Sequence, residues 1–182
     1  MNLQDGAVAF IDVLGWKGIY SRQTDAISII NKIYNRAKDY GSILMLDPEI
    51  LPVSEEFKKL KTEIINISDT IVISAFGDCN VSLSYLGMIA KFLIVEALQK
   101  EILVRGAISF GRYAMQNSVL VGPAVDEVAS WYEVADWIGV FFTPSALYSI
   151  TEIKSRKIIT YNVPTKYGIF ETLCVNWGDF WR

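Results

Sequence analysis

The sequence predicts an α/β (α+β) domain with a ferredoxin-like β–α–β–β–α–β core and a C-terminal β–α–β extension. Three stretches carry that prediction. Gly6 to Val13 (GAVAFIDV) is a near-continuous apolar run, as a strand covered on both faces requires. Glu63 to Ala75 (EIINISDTIVISA) sets β-branched residues on either side of Ser68-Asp69-Thr70, the pattern of a strand–turn–strand hairpin. Residues 101 to 139 read as an apolar strand (Ile102 to Phe110), a turn, a second strand (Ser118 to Val121) and Gly122-Pro123 opening a helix.

The remaining elements follow in order. Leu14-Gly15-Trp16-Lys17-Gly18 is a turn whose glycines free the backbone to aim its amides. Thr24 or Asp25 caps a helix to about Tyr40, with Ile29, Ile30, Ile33, Tyr34 and Ala37 at helical spacing. Residues 41 to 62 carry two prolines and a charged tail, which predicts an irregular surface segment with a short helix around Glu55 to Leu60. Val81 to Lys100 has a broad apolar stripe and predicts a largely buried helix. The helix from about Ala124 carries Asp126, Glu127, Trp131, Tyr132, Glu133 and Asp136. Ile138 to Phe142 is a strand, Thr143-Pro144 starts a short helix, and Lys157 to Tyr161 and Tyr167 to Val175 are strands. A chain of 182 residues suits one domain, with a motif-bearing core at about 6–145 and the extension at about 146–182. The predicted core helices pack on one face of the sheet.

Composition narrows the chemistry. With 52% hydrophobic and 20% charged residues the chain is globular, and some of its apolar surface is available for a partner interface. A net charge of −3 gives no field for non-specific binding to nucleic acid or membrane. Histidine is absent, which removes imidazole acid–base catalysis and the usual zinc sites, so any metal must sit on oxygen ligands and is magnesium or manganese. Cys79 and Cys174, without a spacing motif, point to buried free thiols in a reducing, cytoplasmic setting. The start MNLQDGAVAF lacks the basic region and cleavage site of a signal peptide, and no uncharged apolar run reaches the ~18 residues that span a bilayer.

Two aspartates embedded in apolar strands stand out. Asp12 follows Ala-Val-Ala-Phe-Ile and Asp69 follows Ile-Ile-Asn-Ile-Ser; in a ferredoxin-like core their strands are adjacent, so both carboxylates meet at one rim. Close carboxylates repel and a divalent cation relieves them, whereas an Asp that merely caps its turn needs none. Gly15-Trp16-Lys17 offers amides and a charge to a phosphate, or is only a strand-to-helix turn. Arg105 is a charge inside an apolar run, either functional or lying over a strand edge, and Arg112 reads as solvated. Trp131, Tyr132 and Trp137 are core or interface aromatics, with base stacking as the alternative.

With those residues in view, the chain resembles class III nucleotidyl cyclase catalytic domains. Phe10-Ile11-Asp12-Val13-Leu14-Gly15-Trp16 is similar to that family's aromatic-x-Asp-Ile-x-Gly-Phe first strand, and Ile67-Ser68-Asp69 to its Ile-Gly-Asp hairpin. Arg105 to Gly111 resembles its Arg-x-Gly-Ile-x-x-Gly strand, and Gly122 to Ser130 its Gly-x-x-Val-Asn-x-Ala-Ala-Arg helix start. The resemblance implies a homodimer with sites shared across the interface, and two Mn2+ or Mg2+ ions on Asp12, Asp69 and the Val13 carbonyl. It also implies a triphosphate on the amides of Gly15, Trp16 and Lys17. The 3′-oxygen of a nucleoside triphosphate would attack the α-phosphorus and release pyrophosphate.

The departures are as informative. The family's purine-reading Lys falls on Ile65 and its partner on Val119, neither of which can hydrogen-bond a base edge. The helix Asn is Asp126, and the transition-state Arg is Ser130, leaving Arg105, Arg112 or Lys17 as substitutes. Ala-Phe-Ile-Asp-Val-Leu-Gly-Trp and the run Trp131 to Trp137 resemble the pyrimidine cyclases of Pycsar anti-phage systems. That resemblance implies conversion of UTP (or CTP) to cyclic UMP (or cyclic CMP), uridylate first, and a separate effector protein that senses the product. Tyr113, Tyr132 and Asn117 are then the polar groups expected at the base. A purine cyclase with unusual base contacts, or an inactive cyclase-like dimerisation or sensor module, are the alternative readings.

Overall fold

The structure, a computed structural model, describes residues 2–22, 24–44, 53–151 and 158–181. The strands are β1 (Gln4–Val13), β2 (Lys61–Ile67), β3 (Thr70–Phe76), β4 (Val104–Gln116), β5 (Val119–Val121), β6 (Gly139–Phe142), β7 (Ile158–Thr165) and β8 (Gly168–Val175). The helices are α1 (Ala26–Leu44), α2 (Val53–Phe57), α3 (Cys79–Leu98), α4 (Pro123–Trp131) and α5 (Pro144–Ser149). The sheet runs β2-β3-β1-β4-β6-β8-β7, with β5 paired to β4. Its first four strands have the order that a ferredoxin-like β–α–β–β–α–β core demands, and β6 joins β4 in parallel before α5 and the β7–β8 hairpin complete the extension.

β1 reads as continuously apolar because it is central and covered on both sides. Ala7, Ala9, Ile11 and Val13 face a core built with α1, α3 and α5, while Val8 and Phe10 face a second core with α4 and the β7–β8 hairpin. The predicted one-sided arrangement therefore holds for α1 and α3 but not for α4, whose buried Ala124 and Val128 pack on the opposite face. α3 is long and apolar enough, by length and composition, to cross a membrane, but two-thirds of it is buried inside the fold as the core helix. Asp78 caps it by accepting from the Val81 amide at 3.2 Å.

Several boundaries differ from the sequence-based expectation. β4 does not stop at Phe110. Gly111 pairs with Gly6 and Tyr113 with Gln4, so the strand continues to Gln116 and the turn falls on Asn117-Ser118, both with positive φ. α1 extends beyond Tyr40 to Leu44, and the short helix after it is Val53–Phe57 rather than 55–60. The rest of the expected irregular segment, 45–52, lies outside the described residues, as does Lys157. α4 ends at Trp131 and does not carry Glu133 or Asp136: the Asp136 amide bonds the Pro164 carbonyl at 3.0 Å, drawing that segment into a connection toward β7. Cys79 and Cys174 are free thiols, as expected, with burial pushing them up to about 11 and about 12.

Gly106 marks the tightest approach between β1 and β4. A Cβ there would lie 2.3 Å from the Phe10 carbonyl oxygen, so any side chain forces the two strands apart. Gly106→Ala is expected to cost about 1–3 kcal/mol, lowering Tm by several degrees in a thermal melt.

Candidate active site

The strand register sets the site. Asp12 lies opposite Thr70 on β3 and opposite Arg105 on β4, one position before β1 ends. Asp69 occupies the β2–β3 turn beside Ser68, whose φ is 59°, and its carbonyl accepts the Val13 amide at 3.3 Å. The two aspartates that the sequence singles out are thus brought to one rim. Asp12 is 9% exposed; Thr70 donates to its Oδ1 at 3.3 Å, and Arg105 Nε stands 3.6 Å from its Oδ2. Burial, then the neighbouring Asp69 charge, hold the Asp12 carboxyl above its usual range, against the pull of Arg105 and Thr70.

Arg105 is not a strand-edge arginine lying over the surface. Its Nη1 donates to the Glu133 and Ala135 carbonyls, each at 3.3 Å, and its Nε is buried with no hydrogen-bond partner among the described residues. The guanidinium is therefore fixed beside Asp12 by the segment that follows α4. Tyr132 packs edge-on against Phe10 and donates to Glu133 Oε1 at 2.9 Å. Burial first, then Glu133 and the two aspartates, push its hydroxyl up to about 12. Tyr132 is thus at the aspartate rim, where the sequence sought a base or ribose contact.

The loop after β1 adjoins this rim. Leu14 N donates to the Leu103 carbonyl at 2.9 Å, and Gly15 and Gly18 both adopt φ of 75°, a left-handed conformation that glycine tolerates. Trp16 is half-buried against the core, and Lys17 is exposed. Arg22, which the sequence reading overlooked, donates through Nη2 to the carbonyls of Gly15 and Lys17.

The other expected contacts divide. Tyr113 is a core residue: it is fully buried, stacks on Phe76 at 4.1 Å and lies over Gly6, whose missing side chain makes the space. It presents nothing to a ligand, which corrects its expected place at the base. Asp126 is exposed on α4, and Ser130 spends its hydroxyl on the Asp126 carbonyl at 2.8 Å. Arg112 and Asn117 are exposed, Asn117 at the tip of the β4–β5 hairpin. Val119 is 62% exposed and Ile65 half-buried. A groove of about 470 Å³ between α1 and β2 is lined by Ile65, with Glu63, Ser118 and Lys38 as polar walls. Ser118 donates to Glu63 Oε1 at 3.3 Å, tying the hairpin tip to β2. Glu63 was legible in principle, since it lies two residues before Ile65 and so on the same face of the strand.

Among the described residues no group of three or more acidic or cysteine side chains converges as a metal centre. The oxygen donors that fit a hard divalent cation are the Asp12 and Asp69 carboxylates, and their mutual repulsion is the charge such an ion would neutralise. Because the folded-state pKa of Asp12 is raised, its protonated form stabilises the fold. That contribution is complete below the unfolded pKa and lost as pH rises through the folded one. Asp69→Asn removes one cause of the shift while leaving the Thr70 and Arg105 contacts. Its metal-free melting temperature is expected to exceed wild type by about 1 °C at neutral pH, the difference vanishing in acid.

No family model matches the sequence, and no curated protein matches it. Solved structures do. The catalytic core of a rhodopsin-guanylyl cyclase with converted specificity, in complex with ATPαS, superposes with a TM-score of 0.62 at 16% identity, covering 96% of each chain. A bacterial light-regulated adenylyl cyclase gives 0.62 at 15% identity over 97% of this chain, which spans 53% of that longer one. Adenylate cyclases of Trypanosoma brucei in their monomeric state give 0.60 at 10% identity, over 95% of this chain and 90% of theirs. The protein has the mixed α/β fold of class III nucleotidyl cyclase catalytic domains.

Proposed function

We propose that the protein is a nucleotide cyclase that converts a pyrimidine nucleoside triphosphate, UTP or CTP, to the 3′,5′-cyclic monophosphate and pyrophosphate. The observation that carries the reading is the meeting of Asp12 and Asp69 at one rim, directly before the Gly15–Gly18 loop, in a fold that cyclase catalytic domains share. Asp12, Asp69 and the Val13 carbonyl would hold two Mn2+ or Mg2+ ions. Such ions, when bound, acidify the 3′-hydroxyl and neutralise the charge that develops on the leaving group.

The chain's own groups supply the rest. The loop amides and Lys17 orient the triphosphate so that the 3′-oxygen, having lost its proton to solvent, stands in line with the α-phosphorus. The new bond joins the 3′-oxygen to that phosphorus, the bond to the bridging oxygen of the β-phosphate breaks, and pyrophosphate leaves. Arg105 places a fixed positive charge beside the reacting centre, a role that the serine at 130 cannot fill. Pyrimidine rather than purine selection rests on Ile65 and Val119, apolar where purine-reading relatives need hydrogen-bonding side chains.

The active unit in this reading is a homodimer, the α4 face of one protomer completing the aspartate rim of the other. It works in the cytoplasm, without nucleic acid or membrane, and a separate effector protein senses the product in anti-phage defence. Ser130, turned back onto its own helix, also favours a second reading, an inactive cyclase-like sensor or dimerisation module.

Purified protein incubated with Mn2+ and each ribonucleoside triphosphate separately is expected to yield cyclic UMP or cyclic CMP by mass spectrometry. Cyclic AMP or cyclic GMP would make it a purine cyclase, and no product from any of the four would favour the inactive module. For shared sites, Asp12→Ala and Asp126→Ala are each expected to lower activity by at least ~100-fold and to recover part of it when mixed. Absence of complementation would place each site within one chain.

A further inference from the structure

We infer that Arg22 is a positioning residue for the triphosphate: it holds the 14–18 loop so that the Trp16 and Gly18 amides point outward as an anion-binding pair. The inference rests on the cyclase reading for the identity of the anion, but on this chain's own geometry for the residues. β1 ends at Val13, Leu14 is pinned to the Leu103 carbonyl, and a 3-10 turn at Ile19–Ser21 brings the chain back. Arg22 then reaches across and donates from one terminal nitrogen to two carbonyls, those of Gly15 and Lys17.

The consequence follows from the planarity of the peptide group. In a trans peptide the C=O and the N–H of the next residue point in opposite directions. Drawing the Gly15 and Lys17 carbonyls toward Arg22 therefore drives the Trp16 and Gly18 N–H groups to the far side of the loop. Among the described residues, neither amide donates to a backbone or side-chain acceptor. Neighbouring amides turned outward beside left-handed glycines, here Gly15 and Gly18, are donors available to phosphate oxygens. The half-buried Trp16 ring anchors the loop from the core side, and the exposed Lys17 adds charge. Gly18 thereby joins the phosphate contacts, and Arg22 acts through the backbone rather than by touching the ligand.

The test compares wild type, Arg22→Met and Arg22→Lys. Binding of inorganic tripolyphosphate is measured by calorimetry, KM and kcat are measured with the active nucleotide, and melting temperature serves as a fold control. Arg22→Met is expected to weaken tripolyphosphate and raise KM about ten-fold, with kcat within about three-fold of wild type. Arg22→Lys, whose ammonium can also donate to two carbonyls but sits on a shorter, more flexible stem, is expected to recover only part. Equal tripolyphosphate binding by wild type and Arg22→Met overturns the inference and leaves the cyclase reading intact. Loss of that binding in a protein that cyclises no nucleotide supports the inference and overturns the reading. Wild type that binds no tripolyphosphate overturns both.

Discussion

The placement of β1 between β3 and β4 is the constraint on which the rest of the molecule depends. Its alternation sends Ala7, Ala9, Ile11 and Val13 into one core and Val8 and Phe10 into the other, which leaves Asp12 the polar exception on the second face. The antiparallel registers with β3 and β4 then decide what meets Asp12: Thr70 from one side and Arg105 from the other. A slip of one residue in either register would turn those partners to the opposite face and leave a buried carboxylate uncompensated. Gly106 guards that register, since its neighbour across the ladder is Ile11 and nothing larger fits.

Arg105 links this strand pairing to the other end of the chain. By taking the Glu133 and Ala135 carbonyls it fixes the exit from α4, and Ala135 in turn bridges Thr165 on β7. The connection that closes the second core is thus organised around the same guanidinium that faces Asp12. Tyr132 comes to the aspartate rim as the C-cap of α4, its amide still donating to the Val128 carbonyl, and Glu133 comes there through the connection that follows.

Much of this was legible in the sequence, and the failures share a cause. The apolar run of β1, the hairpin around Asp69 and the Thr143-Pro144 helix start are local patterns, and each appears where the pattern put it. The rim itself followed from topology, because the β–α–β–β–α–β order makes β1 and β3 neighbours. What escaped were tertiary decisions. Gly111 reads as a break, but its ladder partner is Gly6, and two glycines facing each other let β4 run on. Tyr113 reads as an available phenol, but the space over Gly6 and the Phe76 ring draw it inside. Arg22 carried no signal, since an arginine seven residues past a glycine matches no motif until the chain folds back.

A purely structural account of the aspartate rim has to explain its charge. Were Asp12 and Arg105 present only as a stabilising ion pair, the two charged groups would be hydrogen-bonded directly to each other. Instead the separation is 3.6 Å, the Arg105 Nε has no hydrogen-bond partner among the described residues, and the Asp12 carboxyl is held above its usual range even with a guanidinium and a hydroxyl beside it. The reasons are burial first and then Asp69, with Glu133 behind it: three carboxylates act on a partly desolvated locus supplied with one fixed cation. Replacing Asp69 with a neutral turn residue would relieve the repulsion, so its negative charge is a cost that folding does not require. A locus deficient in positive charge, followed directly in the chain by a loop that carries an exposed lysine, suits the arrival of cations together with a polyanion. That deficit, more than the presence of two aspartates, is what separates the proposed metal-assisted phosphate chemistry from a pair of capped turns.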